Sequence, residues 1–146
     1  QALGKKDPED ADLWARQTSK MATISLGIMS LPFIFFPEPL LAVFIQEKET
    51  IATGITAVRI LGVSLWIEGI ALVMQYSLLG AGDSQRVMYI STGLQWLFYL
   101  PFAWLAAHTF EFRLNGVWTI NLINQAFLAT WFYYLWRQGK WKSIVL

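Results

Sequence analysis

The 146-residue chain is 55% hydrophobic and only 14% charged, with one His, no Cys, a formal net charge of +1 and a mean hydropathy of +0.44. Soluble domains carry about a quarter charged residues, so this composition argues against a water-soluble globule, and the near-neutral balance gives no ground for a nucleic-acid partner. The absence of Cys excludes disulfides and thiolate metal sites, and no nucleophile–base pair, metal set or cofactor motif points to an enzyme.

The charges gather into short islands between long apolar runs. Residues 7–20 are polar and mixed in sign, with Asp7 placed as an N-cap and Pro8 at the first helical position, where a missing N–H costs nothing. This pattern predicts a helix that starts in water and runs into lipid. Residues 21–45 contain no charge except Glu38, enough for a bilayer core of about 30 Å, which needs roughly 20 apolar residues. Pro32 marks a kink, and Pro37-Glu38-Pro39 ends the helix because both prolines lack a donor and disfavour helix before them. A short helical turn is expected over residues 40–45.

Three more spans follow, at about residues 51–79, 87–107 and 117–136. Turn signals separate them at Gly80-Ala81-Gly82-Asp83 and at Glu111 to Gly116. Residues 137–146 form a polar tail. Four crossings put both ends on one side, which holds Lys5, Lys6, Arg16, Lys20, Arg86, Arg137, Lys140 and Lys142; the other side has only Lys48 and Arg113. The positive-inside rule then makes both ends cytoplasmic, as in a bacterial inner-membrane protein. The form L-G-x-x-D recurs at Leu3 to Asp7 and Leu79 to Asp83, a weak internal repeat of the kind expected where helix hairpins are reused.

Glu68 is the leading candidate for chemistry. It lies near the middle of the second span, where an ionised carboxylate is expensive and commonly functional. A carboxylate there can take up a proton or a cation and release it again. Ser64, Ala71 and Gln75 stand at helical spacings from it and form one stripe, which should face protein or a water-filled cavity. The structural alternative is a Glu that only holds helices together. Asn121, Asn124 and Gln125 on the fourth span, and Ser91, Thr92 and Gln95 on the third, are further polar groups. Of these, Gln95, Asn121, Asn124 and Gln125 join Ser64 and Gln75 as candidate cavity-lining residues, although interhelical hydrogen bonding is the commoner use of such groups. Arg59 lies nine residues before Glu68, on roughly the opposite helix face, and reads as a side chain reaching the outer surface. Gly54, Gly62 and Gly69 suggest close helix contact.

Four segments, in order, carry a family resemblance: Gln1 to Glu9, Phe36-Pro37-Glu38-Pro39-Leu40, Leu78 to Asp83, and Gly116-Val117-Trp118. Together they resemble the second half of multidrug and toxic compound extrusion (MATE) transporters, over essentially the whole chain. The resemblance implies an all-α membrane protein, with these four transmembrane helices forming helices nine to twelve in the C-lobe of a twelve-helix, two-lobe transporter. It implies export of small organic, mainly cationic, substrates against a proton or sodium gradient, with no other cofactor. It further implies that Glu68, fifteen positions before Asp83, matches the acidic residue of helix ten that serves cation coupling in part of the family. Where some members carry Asp and others no acid, this chain has Glu, so the coupling ion stays open between H⁺ and Na⁺. Expected partners are membrane lipid and the preceding helices of the same chain, of which the sequence reads as a C-terminal piece. Two alternatives remain: a lipid-linked saccharide flippase of the same superfamily, which should show a more basic cavity, and a small four-helix membrane scaffold.

Overall fold

The computed structural model describes residues 8–108 and 113–143. The expected Asp7 cap, the first copy of the L-G-x-x-D form and Glu111 lie outside the described residues. Helix α1 spans Pro8–Phe35, with Pro8 opening it and Glu9 and Asp10 in the first turn, where acids complement the helix dipole. Pro32 sits inside α1. The Phe36 N–H closes on the Pro32 carbonyl at 2.9 Å, and Pro37 then starts a short helix α2, Pro37–Ala42, as its first residue. The proline pair therefore divides one helix from the next, and the turn expected over residues 40–45 begins earlier as a result.

Helix α3, Lys48–Gly80, has 33 residues, which is about 50 Å and longer than the hydrocarbon core of a bilayer. Its end is a Schellman motif: Gly82 N–H bonds to Leu79 O and Asp83 N–H to Leu78 O, both at 3.0 Å. Gly82 adopts φ 84°, a backbone conformation that a side chain would oppose. Helix α4 (Ser84–Gly93), a π-helical segment (Leu94–Tyr99) and helix α5 (Leu100–His108) then follow without interruption. The π register ends with Leu100 N–H on the Gln95 carbonyl and stands directly before Pro101. In α-geometry that ring would press on the carbonyl four residues back, and the wider turn relieves the clash. Helix α6, Arg113–Gln138, starts earlier than the sequence suggests, so Leu114 to Gly116 are helical; a 3₁₀ turn, Lys140–Ser143, completes the described chain. No strand occurs among the described residues.

Helix α3 is the centre, with α1 packed on one side and α6 on the other, while the π segment and α5 lean on α6. Phe98 meets Phe127 edge to face at 5.2 Å and so ties the π segment to α6. The α1–α3 contact is antiparallel and unusually close. A Cβ added to Gly69 would stand 3.2 Å from the Thr23 Cα, and one added to Gly62 only 2.8 Å from Ile34 Cγ1. Between these points Trp66 lies over Gly27, and its indole N–H donates to Ser30 Oγ at 2.6 Å, while the Ser30 hydroxyl donates to Gly27 O at 2.7 Å. Small residues that let backbones approach, with a polar bond across the seam, are the means by which helices associate in lipid.

Two helical stretches, Glu9–Phe35 and Lys48–Gly80, are long and apolar enough to cross a membrane. The surface agrees: Leu97, Phe44, Val43, Met21 and Phe35 are each at least two-thirds exposed. The total accessible area of 9875 Å² exceeds the roughly 7,600 Å² expected of a compact soluble protein of this mass.

Gly69→Ala should lower the stability of the helix pair by about 1–3 kcal/mol, because the Thr23 backbone cannot turn aside as a side chain could. Trp66→Phe should cost about 1 kcal/mol through the lost hydrogen bond. Thermal unfolding of the detergent-solubilised protein checks both, and an unchanged melting temperature for Gly69→Ala would contradict the close approach.

Candidate functional site

Glu68 projects from the middle of α3, beside the glycine against which α1 packs. Its side chain is half-buried, and among the described residues it has no hydrogen bond or ion pair. Ser64, one turn before, is 1% exposed, and its hydroxyl donates to the Leu61 carbonyl at 2.7 Å. Ala71 is buried and Gln75 half-buried. Leu72, Tyr76 and Leu79, spaced four, eight and eleven residues beyond Glu68, are exposed. Glu68 thus stands at the margin between the packed face of α3 and a face that the described residues leave uncovered. Arg59 is exposed and, nine residues away, points from the other side of the helix.

Met74 and Leu78 of α3 share one buried cluster with Phe132 and Leu135 of α6, so these packed helices run parallel with their C-terminal ends together. Counting back six residues from Met74 reaches Glu68, and seven from Phe132 reaches Gln125, each a climb of about 10 Å. Asn121 and Gln125 continue the helical stripe of Leu128, Phe132 and Leu135. The fold therefore sets Ser64, Glu68, Asn121, Asn124 and Gln125 at similar depth. Asn124 is 4% exposed, and its Oδ1 is a buried acceptor with no hydrogen-bond partner among the described residues; the Ser91 hydroxyl is in the same position. Gln95 is not gathered in: it falls in the π segment and is exposed. Gln75 lies about two turns nearer the C-terminal end of α3 than Glu68. Among the described residues no three His, Cys, Asp or Glu side chains gather into a metal site, so an ion at this depth would draw on Glu68 and neutral oxygens.

A second polar arrangement was not evident from the sequence. At the end of the bundle where α1 begins and α6 finishes, Asp12 accepts the Trp136 indole N–H at 2.7 Å and the Arg16 Nε–H at 2.9 Å. Trp136 stacks on Trp141 at 4.2 Å, and the Trp141 indole N–H donates to the Trp136 carbonyl at 2.9 Å. Gly139, at φ 70°, turns the chain so that Trp141 folds back. The i, i+4 spacing of Asp12 and Arg16 is visible in the sequence; the bond to a Trp 124 residues away is not. Nearby, Asp83 is buried and accepts from Arg86 at 3.2 Å, a bond within the α3–α4 turn, whose Ala81 and Val87 belong to the buried cluster of Met74, Leu78, Phe132, Trp136 and Trp141. A double-mutant cycle on Asp12→Ala and Trp136→Phe should return a coupling of about 1.5–3 kcal/mol, the range for a hydrogen bond to a charged group. Additive losses in unfolding experiments would remove this link.

These features define the class: an all-α integral membrane protein whose central helix carries a carboxylate near its middle. The sequence model of the MatE family matches residues 1–105, and the chain belongs to that family. It is 27% identical over 125 residues to "Probable multidrug resistance protein NorM" of Thermotoga maritima, covering 86% of this chain and 26% of the relative. It is 25% identical over 132 residues to "Protein DETOXIFICATION 30" of Arabidopsis thaliana, covering 88% of this chain and 26% of that protein. "Protein DETOXIFICATION 29" of the same plant is 23% identical, with the same coverage. The chain spans about a quarter of the length of these relatives. No solved structure matches.

Proposed function

We propose that these residues form part of a cation-coupled antiporter that exports organic cations or other toxic compounds. Glu68 is its coupling group, and Ser64, Asn121, Asn124 and Gln125 supply polar surface beside it. In this reading the chain crosses the membrane four times, as α1, α3, the α4–π–α5 path and α6, with both ends on the cytoplasmic side. The observation that carries the proposal is Glu68 itself: half-buried in the middle of a membrane-length helix, with no cation or donor among the described residues to neutralise it. Family membership agrees, as do the names of the relatives. An unpaired intramembrane carboxylate is costly to hold charged. It is stabilised when a proton, a sodium ion or a cationic substrate arrives, and one carboxylate cannot serve two of these at once. Antiport follows if the partner taken differs between inward-open and outward-open states.

A saccharide flippase would call for basic groups near this depth. The one Arg inside α3, Arg59, is exposed and directed away from the Glu68 side.

Transport by the complete protein in proteoliposomes tests the proposal. Glu68→Gln keeps the side-chain volume and removes the charge, and substrate efflux driven by an imposed proton or sodium gradient should fall at least tenfold. Glu68→Asp should retain partial activity. Unchanged coupled efflux in Glu68→Gln would remove Glu68 from the mechanism.

A further inference from the structure

Helices α1, α3 and α6 enclose an open groove of about 570 Å³ that plays no part in the proposal for Glu68. Its floor is apolar, formed by Ile24, Ile70, Met74 and Ala129, and its rim carries Arg16 and Lys20. The volume lies within the range of small-molecule sites. Among the described residues, no acidic side chain lines it.

The two cations are placed to act on a ligand. Arg16 is fixed through its Nε by Asp12, which leaves its terminal nitrogens without a partner among the described residues. Lys20 is exposed and likewise has none. Along α1 these are the last charges before the apolar run that begins at Met21, so they sit at the water–hydrocarbon boundary while Ile24 lies one turn deeper. On α3, Ile70 and Met74 stand two and six residues from Glu68, about 200° and 240° around the helix axis. The groove therefore opens on the side of α3 away from Glu68. If the Glu68 side faces the transport path and the rest of the protein, the groove faces lipid.

We infer that this groove is a binding site for an anionic phospholipid of the leaflet on the Arg16/Lys20 side. The headgroup phosphate is held by Lys20 and the free end of Arg16, and an acyl chain lies over Ile24, Ile70, Met74 and Ala129. Charge complementarity selects the ligand: a cationic drug is repelled at the rim, a zwitterionic lipid brings a positive charge of its own, and a free phosphate has nothing to place on the apolar floor. Basic residues at such a boundary strengthen binding to anionic lipid about fivefold each.

Native mass spectrometry of the complete protein, titrated with phosphatidylglycerol or with phosphatidylcholine of the same chains, tests the site. Wild type should bind phosphatidylglycerol several-fold more tightly. Lys20→Gln should weaken that binding about fivefold, and Lys20→Glu should weaken it further. Arg137→Gln, at the same membrane surface but outside the groove, should bind as wild type does, and millimolar inorganic phosphate should not displace the lipid. The orientation of the groove rests on the proposed role of Glu68, but the readouts are separate: Glu68→Gln, which disables antiport under that reading, should bind lipid normally. Equal affinity for the two lipids overturns the inference. So does unchanged phosphatidylglycerol binding in an Arg16→Gln/Lys20→Gln variant that melts like wild type, which would mean that another part of the chain or a second copy fills the groove. An equal loss in Arg137→Gln also overturns it, by showing diffuse surface attraction, and so does displacement by phosphate.

Discussion

Close approach between α1 and α3 requires two places where a side chain is missing, and the remaining architecture depends on it. At Gly62 and Gly69 even a methyl group would meet Ile34 or the Thr23 backbone. In lipid the hydrophobic effect does not drive helices together, because the solvent is as apolar as the side chains, so contact distance and hydrogen bonds must supply the attraction. The two glycines provide the first, and the Trp66–Ser30–Gly27 chain of hydrogen bonds provides the second. With α1 held on one side, α3 is free to offer its other side to α6. Glu68, next to Gly69, is thereby fixed in position and direction without a hydrogen bond or ion pair of its own among the described residues.

The two ends of the bundle are built differently. Where α1 begins and α6 ends, Asp12, Trp136 and Trp141 join with Met74, Leu78, Val87 and Phe132 in a closed core. The Schellman turn at Gly82 brings the start of α4 into that cluster. The opposite end is looser, with α2 resting on the start of α3 through Leu41 over Gly54. A tight end beside a looser one suits helices that must change their mutual tilt, because the tight end can act as the fixed point. Pro32 in α1 and the π segment before Pro101 both lie away from that core, where the backbone ladder is already interrupted.

Much of this was legible in the sequence because membrane helices obey few constraints. Length, charge islands and prolines marked the helices and most of their ends, and Gly80 to Asp83 gave the α3–α4 turn. The placement of Glu68 and Ser64 on α3, and of Asn121 and Gln125 on one face of α6, followed from helical spacing. What escaped were features set by contact or by detailed backbone geometry. The π segment stands before Pro101, packs Phe98 on Phe127 and leaves Gln95 exposed, none of which spacing alone shows. The Asp12–Trp136 bond joins opposite ends of the chain, and no local pattern signals it. The start of α6 at Arg113 was hidden because Asn115 and Gly116, common turn formers, are tolerated in a first helical turn.

Helix α3 thus separates two chemistries on its two sides. Toward the Glu68 side it presents a carboxylate at a depth where charge is costly, beside Ser64 and near the neutral polar groups of α6. On the far side, where the groove lies, it presents Ile70 and Met74 under a rim of positive charge contributed by α1. A carboxylate buried in the first environment attracts cations and repels anionic headgroups, and the second environment does the reverse. Because a single rigid helix carries both, a tilt of α3 that alters access to Glu68 must also widen or narrow the groove behind it. Under the proposed roles of Glu68 and of the groove, lipid and cation act through the same element without sharing a residue.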